Sequence, residues 1–224
     1  MVSPENVISI IIAVITIFLT GRFLFSLHRS PDYKLEERQQ LKKKIEKENR
    51  IKLKDSFVYP SGRVVLKSMT EEDIEKMRIL RNKNRLFFVH SDEITKDAQR
   101  QWYGAYLLRE NDYLFSVFYE EKWIGAVSIY DVDIEQSKAE FGRLLIDRAA
   151  AGVGGLGVDT TQAACQIAYK ELGICTIVLE VYEDNEAAKC TYLKAGFVPV
   201  GTLCDHTGQK LIQMKFDCLS QAAK

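Results

Sequence analysis

Between Gly152 and Gly157 the chain carries Gly152, Gly154, Gly155 and Gly157. Upstream, Phe141 to Ile146 is an apolar run that reads as a strand. Downstream, Ala163, Ala164, Ile167, Ala168 and Leu172 fall at helical spacing, and Gly173 is placed to end that helix. Glycines just before a helix let the backbone take positive φ and approach a ligand closely. Their amides, with the unpaired N–H groups of the first helical turn, converge on a point that suits an anion, and a phosphate above all. A Walker A loop would need Gly-Lys-Ser/Thr, and Val158 follows Gly157 instead. A dinucleotide fingerprint GxGxxG passes through Gly152, Gly154 and Gly157, with Glu180 as its acidic partner by distance.

The downstream sequence is more specific. Gly155-Leu156-Gly157 and Glu171-Leu172-Gly173 are followed by LEVYEDNEAAKCTYLKAGFVPVG, from Leu179 to Gly201, with Asn185 and Tyr192 in register. Together these resemble the two ordered motifs of the GNAT superfamily of acetyl-CoA-dependent N-acetyltransferases, over roughly Val64 to Asp217. In that family a strand, a Gln/Arg-x-x-Gly-x-Gly/Ala turn and a helix ending in Glu-Leu-Gly cradle the pyrophosphate of coenzyme A. The resemblance implies a cofactor site at Gly152, Val153, Gly154, Gly155, Leu156, Gly157 and Val158, with Asn185 and Lys189 beside it. Leu144, Leu145 and Ile146 would bind the pantetheine arm through their backbone, one amide facing the developing oxyanion. This chain departs from the pattern at Gly152, which stands at the Gln/Arg position and offers no side chain; Arg148 is a candidate replacement.

Acetyl transfer to an amine needs a neutral nucleophile, a stabilised oxyanion, a protonated leaving thiolate and aligned substrates. By resemblance Tyr192 stands where the family places a tyrosine near the sulfur. A phenol of ordinary pKa about 10 can protonate a thiolate of pKa about 8.5. Without the resemblance it is an ordinary core tyrosine. Glu140 opens the central strand, where related transferases carry a carboxylate facing the acceptor, and is the candidate base. His90, His206 and a water relay are alternatives. For the acceptor, Ile79-Leu80-Arg81-Asn82, Arg85, Ile94 and Trp102 resemble the ribosomal-protein-alanine and spermidine acetyltransferase branch. The Arg-Asn pair with a Gln-x-Trp-like helix is also similar to enzymes that acetylate amino sugars on nucleotide carriers. Arg81 and Arg85 would grip a diphosphate, Asn82 would accompany them, and Trp102 or Tyr130 would stack on a base or sugar. A nucleotide-linked amino sugar is the favoured acceptor; a protein N-terminus or a polyamine is the alternative, as is a CoA-binding module without catalysis.

The elements that must position these residues are legible in order. A strand at Arg63–Lys67 leads to a helix capped by Thr70 with Asp73 three residues on, ending near Arg81-Asn82. A second helix runs from Thr95 to Arg109. The strands Tyr113–Tyr119 and Trp123–Tyr130 form a hairpin around Glu120-Glu121-Lys122. Lys138–Ile146 leads into the glycine turn. A strand at Thr176–Val181, a helix at Asn185–Lys194 and strands near Phe197–Leu203 and Lys210–Phe216 close an α/β mixed sheet.

The chain of 224 residues is neutral overall, with 31 basic and 31 acidic side chains. Residues 1–55 hold 11 basic and 7 acidic residues, leaving 20 and 24 for the remainder. A mildly acidic domain argues against nucleic acid as a partner. Five cysteines without metal-ligand spacing point to free thiols in a reducing compartment, and no metal is expected. Val7–Leu27 is apolar apart from Arg22 and is long enough for a single membrane span, with residues 1–30 as an uncleaved anchor. Its basic flank, Arg22, Arg29, Lys34 and Arg38, lies on the C-terminal side and places the catalytic domain in the cytoplasm. Residues 31–56 read as a solvated helical linker and 57–224 as the transferase domain, with the oligomeric state left open.

Overall fold

One mixed sheet carries the glycine turn at its middle. The computed structural model describes residues 47, 48, 50–88 and 92–222. Residues 48–224 form one unit, and the preceding unit of residues 1–47, the expected anchor included, lies outside the described residues but for Lys47. Among the described residues no helix is long and apolar enough to cross a membrane.

The elements follow the chain as β1 (Val58–Ser61), β2 (Val64–Ser68), α1 (Glu71–Lys83) and a 3-10 turn (Arg85–Phe87). Then come α2 (Lys96–Leu108), β3 (Tyr113–Tyr119), β4 (Lys122–Asp133), β5 (Lys138–Ile146) and α3 (Arg148–Ala151). The chain closes with α4 (Leu156–Leu172), β6 (Thr176–Tyr182), α5 (Glu186–Ala195), β7 (Val198–Cys204), β8 (Lys210–Asp217) and α6 (Cys218–Ala222). The sheet has eight strands in the order β1-β2-β3-β4-β5-β6-β8-β7. Every neighbouring pair is antiparallel except β5 with β6.

The local signals work as the residue types dictate. Thr70, Thr95 and Asn185 each cap a helix by accepting the amide of the third residue on: Asp73, Ala98 and Ala188. Gly173 and Gly196 end α4 and α5 in the left-handed region. Strand alternation sorts the side chains into two cores. Tyr113, Phe115, Val117, Val127, Ile129 and Phe141 pack with Ala163, Ala164, Ile167 and Ala168 of α4. Leu114, Ala126 and Leu145 face the other way, against Ile74, Met77 and Leu80 of α1 and Tyr106 of α2.

Three features were not expected. β1 is a four-residue edge strand containing Pro60, a residue edge strands tolerate. Helices α3 and α6 span four and five residues, too short for a periodic signal. Residues 50–55 lie within the expected helical linker, and what was not expected there is that Leu53 is buried in the first core.

Candidate functional site

The parallel strands β5 and β6 pair only at Lys138–Thr176, Ala139–Ile177 and Glu140–Val178. Beyond that point β5 continues to Ile146 and β6 to Tyr182 without pairing, so the two strands splay. Phe141 to Ile146 therefore present alternate backbone groups to a gap instead of a strand. These unclaimed donors and acceptors can hold an extended, amide-bearing ligand. Leu144, Leu145 and Ile146 lie at the far end of this segment, Leu145 in the second core and the other two packed against the first.

The glycine turn closes the same end. Asp147 caps α3 by accepting the amides of Ala149 and Ala150, and Gly152 ends it at φ 66°. The Gly152 amide donates back to the Arg148 carbonyl, so Gly152 shapes the turn instead of contributing to the cradle. Gly155 caps α4 at φ 85°, a conformation side chains resist. Among the described residues the amides of Val153, Gly154, Gly155, Leu156 and Gly157 have no protein acceptor, and they lie at the start of a 17-residue helix. The Val158 amide is bonded to the Gly155 carbonyl. Gly157 is helical, and a Cβ there would sit 3.4 Å from the Thr191 methyl group. The φ requirement falls on Gly155, and Gly157 serves the approach of α5 to α4.

The second-motif residues divide. The Asn185 side-chain oxygen is occupied by the Ala188 amide, 3.1 Å away. Lys189 donates to the Glu183 carbonyl and pairs with Glu186 at 2.7 Å. Both shape the start of α5. Tyr192 differs. Its ring packs edge-on against Phe141 at 5.6 Å and against Phe197 at 6.0 Å. Its hydroxyl has no hydrogen-bond partner among the described residues. Burial of the ring pushes its pKa up to about 12, so the phenol stays protonated at neutral pH.

Glu140 lies on the opposite face of the sheet from Phe141. It is the last β5 residue paired with β6, and it faces Tyr130 across β4. The Tyr130 phenol stands on the residue directly opposed to it. Burial holds the Glu140 pKa above the ordinary carboxylate value, and Asp131 and Glu180 add to the rise while the neighbouring Tyr130 phenol and Lys138 oppose it. Phenol and carboxylate thus flank the splay from opposite faces, a donor on one side and an acceptor on the other.

Sequence reasoning missed Arg143. A bulge between the pairs Ala126–Leu145 and Ser128–Gly142 puts two β5 residues against one of β4, and Arg143 there adopts φ 50°. Its guanidinium grips the buried Asp112 carboxylate through two bonds of 2.6 and 3.1 Å and reaches Ser128 at 3.2 Å. It also stands 4.5 Å from the Tyr130 ring and 5.4 Å from Trp102. Gly142 makes room for this stack, because a Cβ there would lie 2.9 Å from the Tyr130 ring. Tyr130 and Trp102, the two candidates for stacking on a base or sugar, each have a face taken by Arg143.

Arg143→Met is expected to cost about 3 kcal/mol, the low end for unpairing a buried ion because Arg109 still reaches Asp112. The melting temperature should fall by about 6–12 °C, and adding Asp112→Asn should recover part of the loss. Thermal unfolding of the single and double variants checks this.

The expected acceptor residues are otherwise engaged. Asn82 clamps Ile94 through its amide nitrogen, 2.8 Å from the carbonyl, and its oxygen, 2.9 Å from the amide. Arg81 donates to the Asp92 carbonyl at 2.9 Å and lies over Phe88. Arg85, in the 3-10 turn after α1, is 3.8 Å from Glu93. Arg148 is exposed, as is His206, and His90 lies outside the described residues.

Residues 63–198 match the model of an acetyltransferase (GNAT) domain. No curated protein sequence matches significantly. Among solved structures, spermidine N-acetyltransferase from Vibrio cholerae in complex with CoA and spermine is 20% identical, with a TM-score of 0.63 over 70% of this chain and 96% of that one. FdhC, described as a nucleotide-linked sugar GNAT in its apo form, is 21% identical, with a TM-score of 0.64 over 75% of this chain and 94% of that one. At these identities the likenesses speak for the fold alone.

Proposed function

The chain belongs to the GNAT acetyltransferase family, and on that premise we propose that it moves an acetyl group from acetyl-CoA to a primary amine. The observation that carries this is the splay of β5 from β6, with a glycine-capped helix N-terminus at one end and an unpartnered phenol beside it. The pyrophosphate of acetyl-CoA rests on the amides of residues 153–157, and the pantetheine arm pairs with the open edge of β5. Glu140 takes a proton from the substrate ammonium group, directly or through water, and the neutral amine then attacks the thioester carbonyl. A β5 amide in the gap stabilises the oxyanion, and Tyr192 protonates the departing thiolate.

For the acceptor, the sequence pattern suggests a nucleotide-linked amino sugar, and Arg85 of the 3-10 turn would have to leave Glu93 to reach its phosphates. The groups around the gap favour a cationic amine instead. Glu140 and Glu180 lie on one face at the splay, Asp131 adds to their field, and Gln213 donates to Glu180 at 3.1 Å. A second ammonium group on the substrate would be held there, whereas a diphosphate would be repelled. The experiment is acetyl-CoA turnover by purified full-length protein over a panel containing a linear polyamine, a nucleotide-linked amino sugar and an N-terminal peptide. A CoA-binding module without catalysis would bind acetyl-CoA and turn over none of them.

We also propose that Val7–Leu27 anchors the protein, with the transferase domain on the cytoplasmic side. The full-length protein should then require detergent, and not high salt or alkaline carbonate, to leave the membrane fraction. Recovery in the soluble fraction without detergent would contradict the anchor.

A further inference from the structure

We infer that Arg63, from the turn between β1 and β2, supplies the cationic contact to the phosphates of acetyl-CoA that the glycine turn itself lacks. This rests on the proposed acetyl-CoA site. The turn offers backbone amides alone, because Gly152 stands where the family pattern carries Gln or Arg. Arg148, the nearest basic residue in sequence, is exposed on α3, and its side chain makes no hydrogen bond among the described residues.

Arg63 reaches the turn from the opposite end of the domain's sequence. Its Nη1 donates to the Gly154 carbonyl at 3.1 Å, and its Nε donates to Asp159 in the first turn of α4 at 2.7 Å. Its Nη2 would lie 2.8 Å from a Cβ on Gly155, the N-cap whose amide heads the cradle. Among the described residues Nη2 has no acceptor, so two N–H donors stay available beside the five open amides. The side chain is 48% exposed, with room to turn toward a ligand.

Asp159 makes this arginine necessary. A carboxylate in the first turn suits a helix N-terminus, but beside a bound pyrophosphate it would repel the ligand. Arg63 neutralises it and keeps two donors for the phosphate, a task for which a planar guanidinium is shaped. Arg63 therefore acts twice: it offsets the adverse charge, and it contributes a favourable one. Removing it should cost more affinity than a missing contact alone.

The test uses full-length protein and two acyl donors, acetyl-CoA and acetyl-pantetheine, which lacks every phosphate. Arg63→Ala should raise KM for acetyl-CoA by about 10- to 100-fold, the scale of a charge-assisted hydrogen bond. The kcat at saturation should stay within a few-fold, and KM for acetyl-pantetheine should be unchanged. Arg63→Ala with Asp159→Asn should recover part of the acetyl-CoA loss. A purely structural arginine would weaken both donors alike and lower the melting temperature. If Arg63→Ala does not fold, Arg63→Gln, which retains a donor to Asp159, carries the same comparison. An acetyl-CoA KM within twofold of the parent, or equal losses for both donors, overturns the inference. If the parent protein neither binds nor uses acetyl-CoA, the proposed site fails first and Arg63 falls with it.

Discussion

Tyr192→Phe is expected to lower kcat by about 10²–10⁴-fold, with KM for acetyl-CoA and the melting temperature close to those of the parent. The substitution keeps the ring that packs on Phe141 and Phe197 and removes only the hydroxyl. That hydroxyl makes no hydrogen bond among the described residues, so its loss breaks nothing in the fold. A tyrosine kept for packing would lose nothing as phenylalanine. One kept for its proton loses the transfer to the leaving thiolate. Burial lifts the phenol to about 12, so it remains an acid through the neutral and alkaline range, and the parent should show no alkaline limb from this group below that pH. Steady-state kinetics with melting curves of both forms decide the matter, and a kcat within threefold of the parent would remove Tyr192 from the mechanism.

Glu140→Gln should give a comparable loss in kcat/KM, about 10²–10⁴-fold, with an opposite sign in stability. Burial, with Asp131 and Glu180 adding to it, raises the Glu140 pKa, so the folded protein holds this proton more tightly than the unfolded chain. Stability from the protonated form is present below the unfolded value, about 4.3, and is lost as pH rises through the folded one. At neutral pH the ionised carboxylate therefore costs stability. The glutamine variant should melt at the same or a higher temperature there, with the gap closing in acid. In the parent, the acid limb of kcat/KM should lie above the ordinary carboxylate range, and in Glu140→Gln that limb should vanish. A pH profile identical in both forms would assign the base elsewhere.

What could be foreseen depended on how far along the chain each interaction reaches. The glycine turn, the helix cap at Thr70, the helix starts near Thr95 and Asn185, and the β3–β4 hairpin are written in adjacent residues, and each formed where expected. The splay is set by where β5 and β6 stop pairing, which neither strand's own residues record. Arg143 was invisible because its partner Asp112 lies 31 positions away, and because a bulge, which no periodicity records, turns its side chain into the stack. Arg63 reaches Gly154 across 91 positions, so no local pattern ties them. Asn82 shows another limit: it was identified by type, yet its amide satisfies the Ile94 backbone, a role that a loop can demand of any asparagine.

The most direct test of acetyl transfer is acetyl-CoA-dependent thiol release by the full-length protein in detergent, measured against each amine of the panel and without amine. The expected result is release that saturates with a linear polyamine, is matched by one acetyl group on the amine per thiol, and falls at least a hundredfold in Tyr192→Phe. Saturable acetyl-CoA binding without amine-dependent thiol release for any member of the panel would contradict it.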